Sequence, residues 1–179
     1  MSLIQISSVE KIIADLKKSV NKLSFLRLGV FLLAVILVYV LFNLGAFALV
    51  IHAFSSITIF LFIVTKQAKT QDLLTLNQNQ LLLLQNEVNI INNKTNLYDN
   101  GSKFENPNHA YTDDLDIFGQ QSLFAYLNRA ITSKGNAILA SWLQKESDNN
   151  TILNRQIALD ELSHQHQNNL DLRAKLYAL

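Results

Sequence analysis

LGVFLLAVILVYVLFNLGAFALVIHAFSSITIFLFIVT, residues 28–65, contains no Asp, Glu, Lys or Arg, and its reading decides the fold. As one helix this stretch would reach about 57 Å, against a hydrocarbon core of about 30 Å. It is therefore two spans. Asn43-Leu44-Gly45 supplies turn residues at the midpoint and marks the expected reversal. The first span is expected over about 25–42 and the second over about 45–65, each near the length a crossing needs. Backbone groups left unpaired in lipid are costly, so both segments are read as helices. A cleaved signal peptide does not fit, because the first 27 residues are polar or mixed and two apolar stretches follow them. A buried helical hairpin inside a soluble protein is the rival reading, and it would call for a polar face that this stretch hardly has.

Charge orients the hairpin. Lys11, Lys17, Lys18, Lys22 and Arg27 precede it, Lys66 and Lys69 follow it, and the loop between carries no charge. The positive-inside rule then predicts both chain ends on the cytoplasmic side of an inner membrane. Residues 1–27 carry net +3 and the rest of the chain offsets this to a total of +1. Only 16% of residues are charged, and no segment has the dense positive charge of an autonomous nucleic-acid binder. Cysteine is absent, which excludes disulfides, thiolate nucleophiles and Cys-ligated metals.

Flanking the spans, residues 1–24 read as an amphipathic segment, with Leu3, Ile6, Val9, Ile12 or Ile13, Leu16, Val20 and Leu23 at spacings of three and four. It is suited to an anionic membrane surface or to packing on the cytoplasmic part. Residues 66–96 read as a helical stalk, with a seam of Leu74, Leu81, Leu84, Val88 and Ile91 and Asn77 at an equivalent place. A short coiled coil, a stalk or one long core helix all give that pattern. Residues 97–112 are an expected connector, with a turn at Asn100-Gly101 and Pro107 as the only proline. Residues 113–179 read as short helices. Ser122, Thr132, Thr151 and Asn168 or Asn169 are the expected caps. Their apolar content makes a small, unfinished helical core, which is expected to continue past Leu179.

Candidate sites are few. Asp113, Asp114 and Asp116 lack the spacing of a calcium loop and suit a cap or ion pair. His164 and His166 face opposite sides of a helix, and His109 suits a structural hydrogen bond. His52 is the one titratable group of the apolar stretch expected near neutrality, and packing or a loop-side position is the expected role. Gly45, Ala48, Ser55 and Ser56 lie with it near helical spacing and permit close helix approach. Arg129 and Arg155 are expected to pair with acidic residues. Phosphate loops, nucleophile elbows and zinc signatures are missing, so no enzyme activity, metal or cofactor is expected of this chain.

One block has a specific spacing: Asp114, Asp116, Phe118, Gly119, Ser122-Leu123, Leu127-Asn128-Arg129, Thr132, Gly135, Leu139, Trp142-Leu143, Arg155-Gln156 and Glu161-Leu162. It resembles the start of the core, or lever, domain of the MutS mismatch-repair family. The likeness is greatest to a divergent membrane-associated MutS-like subgroup that begins with paired transmembrane segments. Ala130 stands where that family usually has Thr, and Lys145-Glu146 replace a Pro-Leu. The resemblance implies an all-α architecture: a transmembrane hairpin, a stalk and the beginning of a MutS-type lever. It implies scaffold roles for Arg129, Gly135, Trp142 and Leu143. It also implies a C-terminal ATPase, with ATP and Mg and homodimerisation there, outside this chain. The mismatch-reading Phe-x-Glu motif has no counterpart, and Phe104-Glu105 is not that motif; DNA binding by a clamp region stays open. The functional expectation is a membrane-anchoring, lever-starting region of a MutS-like ATPase. The alternative is a small membrane scaffold or adaptor working through its cytoplasmic helices, with the lipid bilayer as a partner in both cases.

Overall fold

The computed structural model describes residues 3–42, 45–92 and 96–178, and the fold is all-α. The described residues form α1 (Leu3–Leu41), α2 (Ala46–Ile91), α3 (Leu123–Leu127), α4 (Ser133–Gln144), α5 (Asn149–His164) and α6 (His166–Leu176), with a 3-10 turn at Ser102–Phe104. They fall into two compact units, Met1–Gln78 and Asn79–Leu179.

In the first unit α1 is one unbroken helix of 39 residues, about 58 Å long. The expected border near residue 24 is absent from its backbone. Nothing along α1 interrupts it, since Gly29 is an isolated cost of about 1 kcal/mol in a run of apolar helix formers. α1 and α2 run antiparallel: Gln67 Nε2 donates to Ser24 Oγ at 2.9 Å, and His52 Nε2 lies 3.0 Å from the Ala34 carbonyl oxygen. The reversal falls between Leu41 and Ala46. Gly45 has φ +95°, a left-handed value natural to glycine, while Asn43 and Leu44 of the expected turn lie outside the described residues. So do Ser2 and the side chain of Leu3 at the start of the amphipathic segment.

The side chains of α1 withdrawn from solvent are Ile6, Val9, Ile13, Leu16, Val20, Leu23, Arg27, Val30, Ala34, Leu37 and Leu41, with Ser24 beside them. That row has the three-and-four period of a helix–helix seam. Of the amphipathic positions, Ile13 is the buried one and Ile12 is 46% exposed. The rest of the apolar stretch faces outward. Both helices are long and apolar enough to cross a membrane, and their most apolar windows are 0% and 6% buried. A soluble core helix of this length would be mostly buried; these display their apolar side chains.

Residues 79–91 of α2 belong to the second unit. The expected seam there is only partly right. Leu84 is buried, but Ile91 is 69% exposed, and the buried positions are Gln80, Leu83, Leu84, Asn86 and Ile90. This is the face of a core helix, rotated from the expected stripe because two amides lie inside. Asn93, Lys94 and Thr95, at the end of the expected stalk, lie outside the described residues, as does Leu179. The segment expected as a connector contributes to the core. Gly101 is buried with φ +80°, and a Cβ there would come within 2.7 Å of Phe124 Cδ1. The cluster holds Ile117, Phe118, Phe124 and Ala140, with Phe104, Leu139 and Leu143 against it. The rings of Phe104, Phe118 and Phe124 are mutually tilted, with centroids 5.6–5.9 Å apart.

Caps set the short helices. Ser122 Oγ accepts from Ala125 N and opens α3, and Thr132 Oγ1 accepts from Gly135 N and opens α4, both as expected. Thr151 is not a cap. α5 starts earlier, at Asp148, whose carboxylate accepts from Thr151 N at 2.9 Å and from Thr151 Oγ1 at 2.6 Å. An ionised acceptor at a helix N-terminus outcompetes a hydroxyl. α6 opens at His166 rather than at Asn168 or Asn169; Asn169 Nδ2 instead donates to Leu162 O and closes α5.

Candidate functional site

Two regions hold the polar side chains that matter, one in each unit. In the hairpin, His52 sits about 9 Å along α2 from its start. Its Nε2–H tautomer donates to Ala34 O, and Ser56 Oγ lies 3.4 Å from the ring. His52 is a packing residue, as expected. It ties α2 to α1 beside an apolar groove of about 390 Å³ that Ala34, Val38, Ala53, Ser56 and Phe60 also line. Between membrane-type helices an interhelical hydrogen bond of this kind is worth about 0.6 kcal/mol.

In the second unit, Glu87 is the hub. It accepts from Arg129 Nε at 2.7 Å and from Arg173 Nη2 at 3.0 Å, and its side chain is 13% exposed. Arg173 Nη2 also donates to the Tyr98 hydroxyl, and both guanidinium groups lie over the Tyr98 ring, at 5.5 and 5.8 Å. Burial raises the Tyr98 hydroxyl above its ordinary value; Arg173 opposes the shift and Glu87 adds to it. Arg129 therefore does pair with an acid. Arg155 does not: it stacks on Trp142 at 4.1 Å and donates to Ser147 Oγ. Trp142 is 45% exposed, with one face covered by the Arg155 guanidinium.

Asparagines build the rest of this region. Asn86 Oδ1 accepts from Leu97 N, and Asn86 Nδ2 donates to Asn96 Oδ1. Asn96 Nδ2 donates to Ala125 O. Asn128, fully buried, donates to Asp99 O and to Asn136 Oδ1 and accepts from Ala130 N. Each amide satisfies backbone groups that irregular chain leaves without helical partners. The sequence reading missed Glu87, Tyr98, Asn86, Asn96 and Asn136; the one available signal was asparagine at helix-interior positions, where it is a poor helix former.

The remaining residues of the family-like block are placed as follows. Asp114 is exposed. Asp116 has φ +46°, and its carbonyl accepts from Leu123 N. Asp113, Asp114 and Asp116 enter no ion pair among the described residues, so the expected pairing is not seen. Phe118 is in the core, and Gly119 has φ +101° with its N–H on Asn100 O. Leu123 and Leu127 are 42% and 46% exposed. Gly135 permits close approach, but of the preceding turn: a Cβ there would lie 2.9 Å from Ala130 Cβ. Leu143 O accepts from Tyr111 Oη and Gln144 O is paired with His109 Nε2, so the approach segment caps the end of α4. Gln156 is exposed on α5, which has no buried residue. No family model, curated protein or solved structure matches the chain.

Proposed function

We propose that this chain is a membrane scaffold or adaptor, anchored by the hairpin and working through its cytoplasmic helices. The observation that carries it is the outward-facing apolar surface of α1 and α2 over residues 28–65, where no formal charge occurs. Phe31, Ile36, Val40, Phe47, Val50 and Phe54 are each more than half exposed, a surface that water disfavours and lipid accepts. Lysines and Arg27 at the two outer ends of the hairpin support a cytoplasmic position for both chain ends. The second unit supplies the working surface: α5 shows Leu153, Ile157, Leu159 and Leu162 to solvent.

The test uses the absence of native cysteine. In inverted and right-side-out vesicles, Lys103→Cys is expected to react with an impermeant maleimide from the cytoplasmic face alone, and Ala46→Cys from the opposite face alone. After alkaline carbonate washing the chain is expected in the pellet. Recovery in the supernatant, as a monodisperse species without detergent, would reject the anchor.

A second reading is favoured by the family-like block together with the bare apolar side of α5, which a longer helical lever would cover. In it the chain is the anchoring, lever-starting part of a MutS-like ATPase that dimerises through its nucleotide-binding domain. ATP hydrolysis by the full gene product, measured with and without DNA, tests this; a product that binds no ATP would dismiss it.

A further inference from the structure

Just outside the uncharged stretch the hairpin gathers cations and no acids. Between Asp15 and Asp72 the sequence contains no carboxylate side chain at all, yet it holds Lys17, Lys18, Lys22, Arg27, Lys66 and Lys69. The hydrogen bond from Gln67 to Ser24 fixes the two helices at one level. Counting from it at 1.5 Å per residue, Lys22, Arg27, Lys66 and Lys69 fall within a slab about 8 Å deep. Asp72 lies about 8 Å farther from the membrane than Gln67, and Asp15 about 14 Å from Ser24. Lys22, Lys66 and Lys69 are exposed, and none of the four cations has an ion-pair partner among the described residues. A headgroup layer is about 5–8 Å thick on each side of the hydrocarbon core, so the slab and the layer coincide in depth. At physiological salt the screening length is about 8 Å, comparable to the depth of the slab, so charges at this level act on headgroups at the same level. The other end of the hairpin, around Phe42 and Ala46, carries no charge.

We propose that this belt is a binding surface for anionic phospholipid headgroups in one leaflet, recruiting phosphatidylglycerol-type lipids around the anchor. The belt follows from the anchor reading and names the lipid class it takes. Ammonium and guanidinium groups pair with lipid phosphates in every bilayer. A zwitterionic headgroup brings its own cation to the same place, and an anionic one does not, so the belt discriminates by net charge.

The test is lipid selectivity of the full chain in vesicles of phosphatidylcholine with roughly 30% phosphatidylglycerol, read by electron paramagnetic resonance of spin-labelled forms of each lipid. Phosphatidylglycerol is expected to be enriched about threefold over phosphatidylcholine in the shell around the protein, and to approach parity at about 0.5 M NaCl. The combined Lys22→Gln, Arg27→Gln, Lys66→Gln, Lys69→Gln chain is expected to lose the preference. A chain with Lys11→Gln, Lys134→Gln, Lys145→Gln and Lys175→Gln, which removes equal charge elsewhere, is expected to keep it. The salt titration needs no variant and reads the belt directly. Equal association of both lipids with the unmodified chain overturns the proposal, as does a preference that survives in the belt variant or vanishes equally in the comparator. Abolition of the preference by a short DNA duplex that binds the same four residues also overturns it, assigning the belt to nucleic acid. Failure of the chain to enter vesicles sinks the anchor reading as well; entry without preference sinks the lipid assignment alone.

Discussion

The hairpin and the helical unit that follows it solve opposite problems with the same secondary structure. In the hairpin, apolar side chains point outward, the seam is narrow, and polar contacts are sparse: His52 to Ala34 and Gln67 to Ser24. In the second unit, the apolar cluster is small and built around three phenylalanines, and Asn86, Asn128 and Asn136 are buried as well. The difference teaches where each region obtains its definition. A helix in lipid satisfies its own backbone, so the hairpin needs few side-chain hydrogen bonds. A short-helix domain with long irregular segments leaves many backbone groups bare, and here amides and a Glu87-centred ion network meet them.

The comparison can be broken or sharpened by substitution. The largest effect is expected from Phe124→Ala, which removes the fully buried ring of the aromatic trio. It should cost the second unit about 4 kcal/mol, seen as lost amide-exchange protection there with the hairpin amides unchanged. If the hairpin loses protection to the same degree, the two regions are not energetically distinct. Next comes Asn128→Ala, expected to cost about 3 kcal/mol by orphaning the Ala130 N–H and the carbonyl oxygens of Asp99 and Asn136. Denaturant unfolding followed by circular dichroism checks it, and a neutral outcome would demote the asparagine network to decoration. His52→Ala is expected to cost only about 0.6 kcal/mol, measured by a thermal shift in detergent. A large loss there would give polar contacts the same weight in both regions.

The smallest effect is a pH dependence at α5. The Thr151 hydroxyl and then the Thr151 N–H hold the Asp148 carboxyl below its ordinary value. A carboxyl depressed in the folded state stabilises above its unfolded pKa, about 3.9, and this contribution fades as pH falls through the lower folded value. α5 is therefore expected to fray on acidification below about pH 4, and Asp148→Ala to abolish that dependence; amide exchange at Asn150 and Thr151 reads it. The group is fully exposed, so the change should stay confined to the first turn of α5. Spread into the aromatic cluster would show the second unit to be more tightly coupled than its short helices suggest.

Much of the hairpin was legible in the sequence. The absence of charge over residues 28–65 is a property of composition, and the cost of a charge in lipid adds residue by residue without reference to partners. The periodic positions Ile6 to Leu23 were legible too, although their continuation into the apolar half of α1 was not, because the sequence offers no register between two helices. Ser122 and Thr132 were read as caps from their own local turns. Thr151 is no cap because Asp148, three residues earlier, already opens the helix and accepts from the Thr151 N–H and hydroxyl, which leaves Thr151 inside the first turn. Apolar periodicity carries the stalk seam through Ile91, because it gives no sign that the amides of Gln80 and Asn86 take buried places.

The sequence by itself thus determined that the chain is helical, that two of its helices are long and apolar enough for a bilayer, and where α3 and α4 begin. Each follows from neighbours within a few residues. Only the tertiary structure decided that Glu87 joins Arg129 and Arg173, across 42 and 86 residues, and that Asn128 and Asn136 answer each other inside the core. A buried polar group is tolerated or ruinous according to the partner it meets, and that partner is fixed by chain packing that no local pattern records.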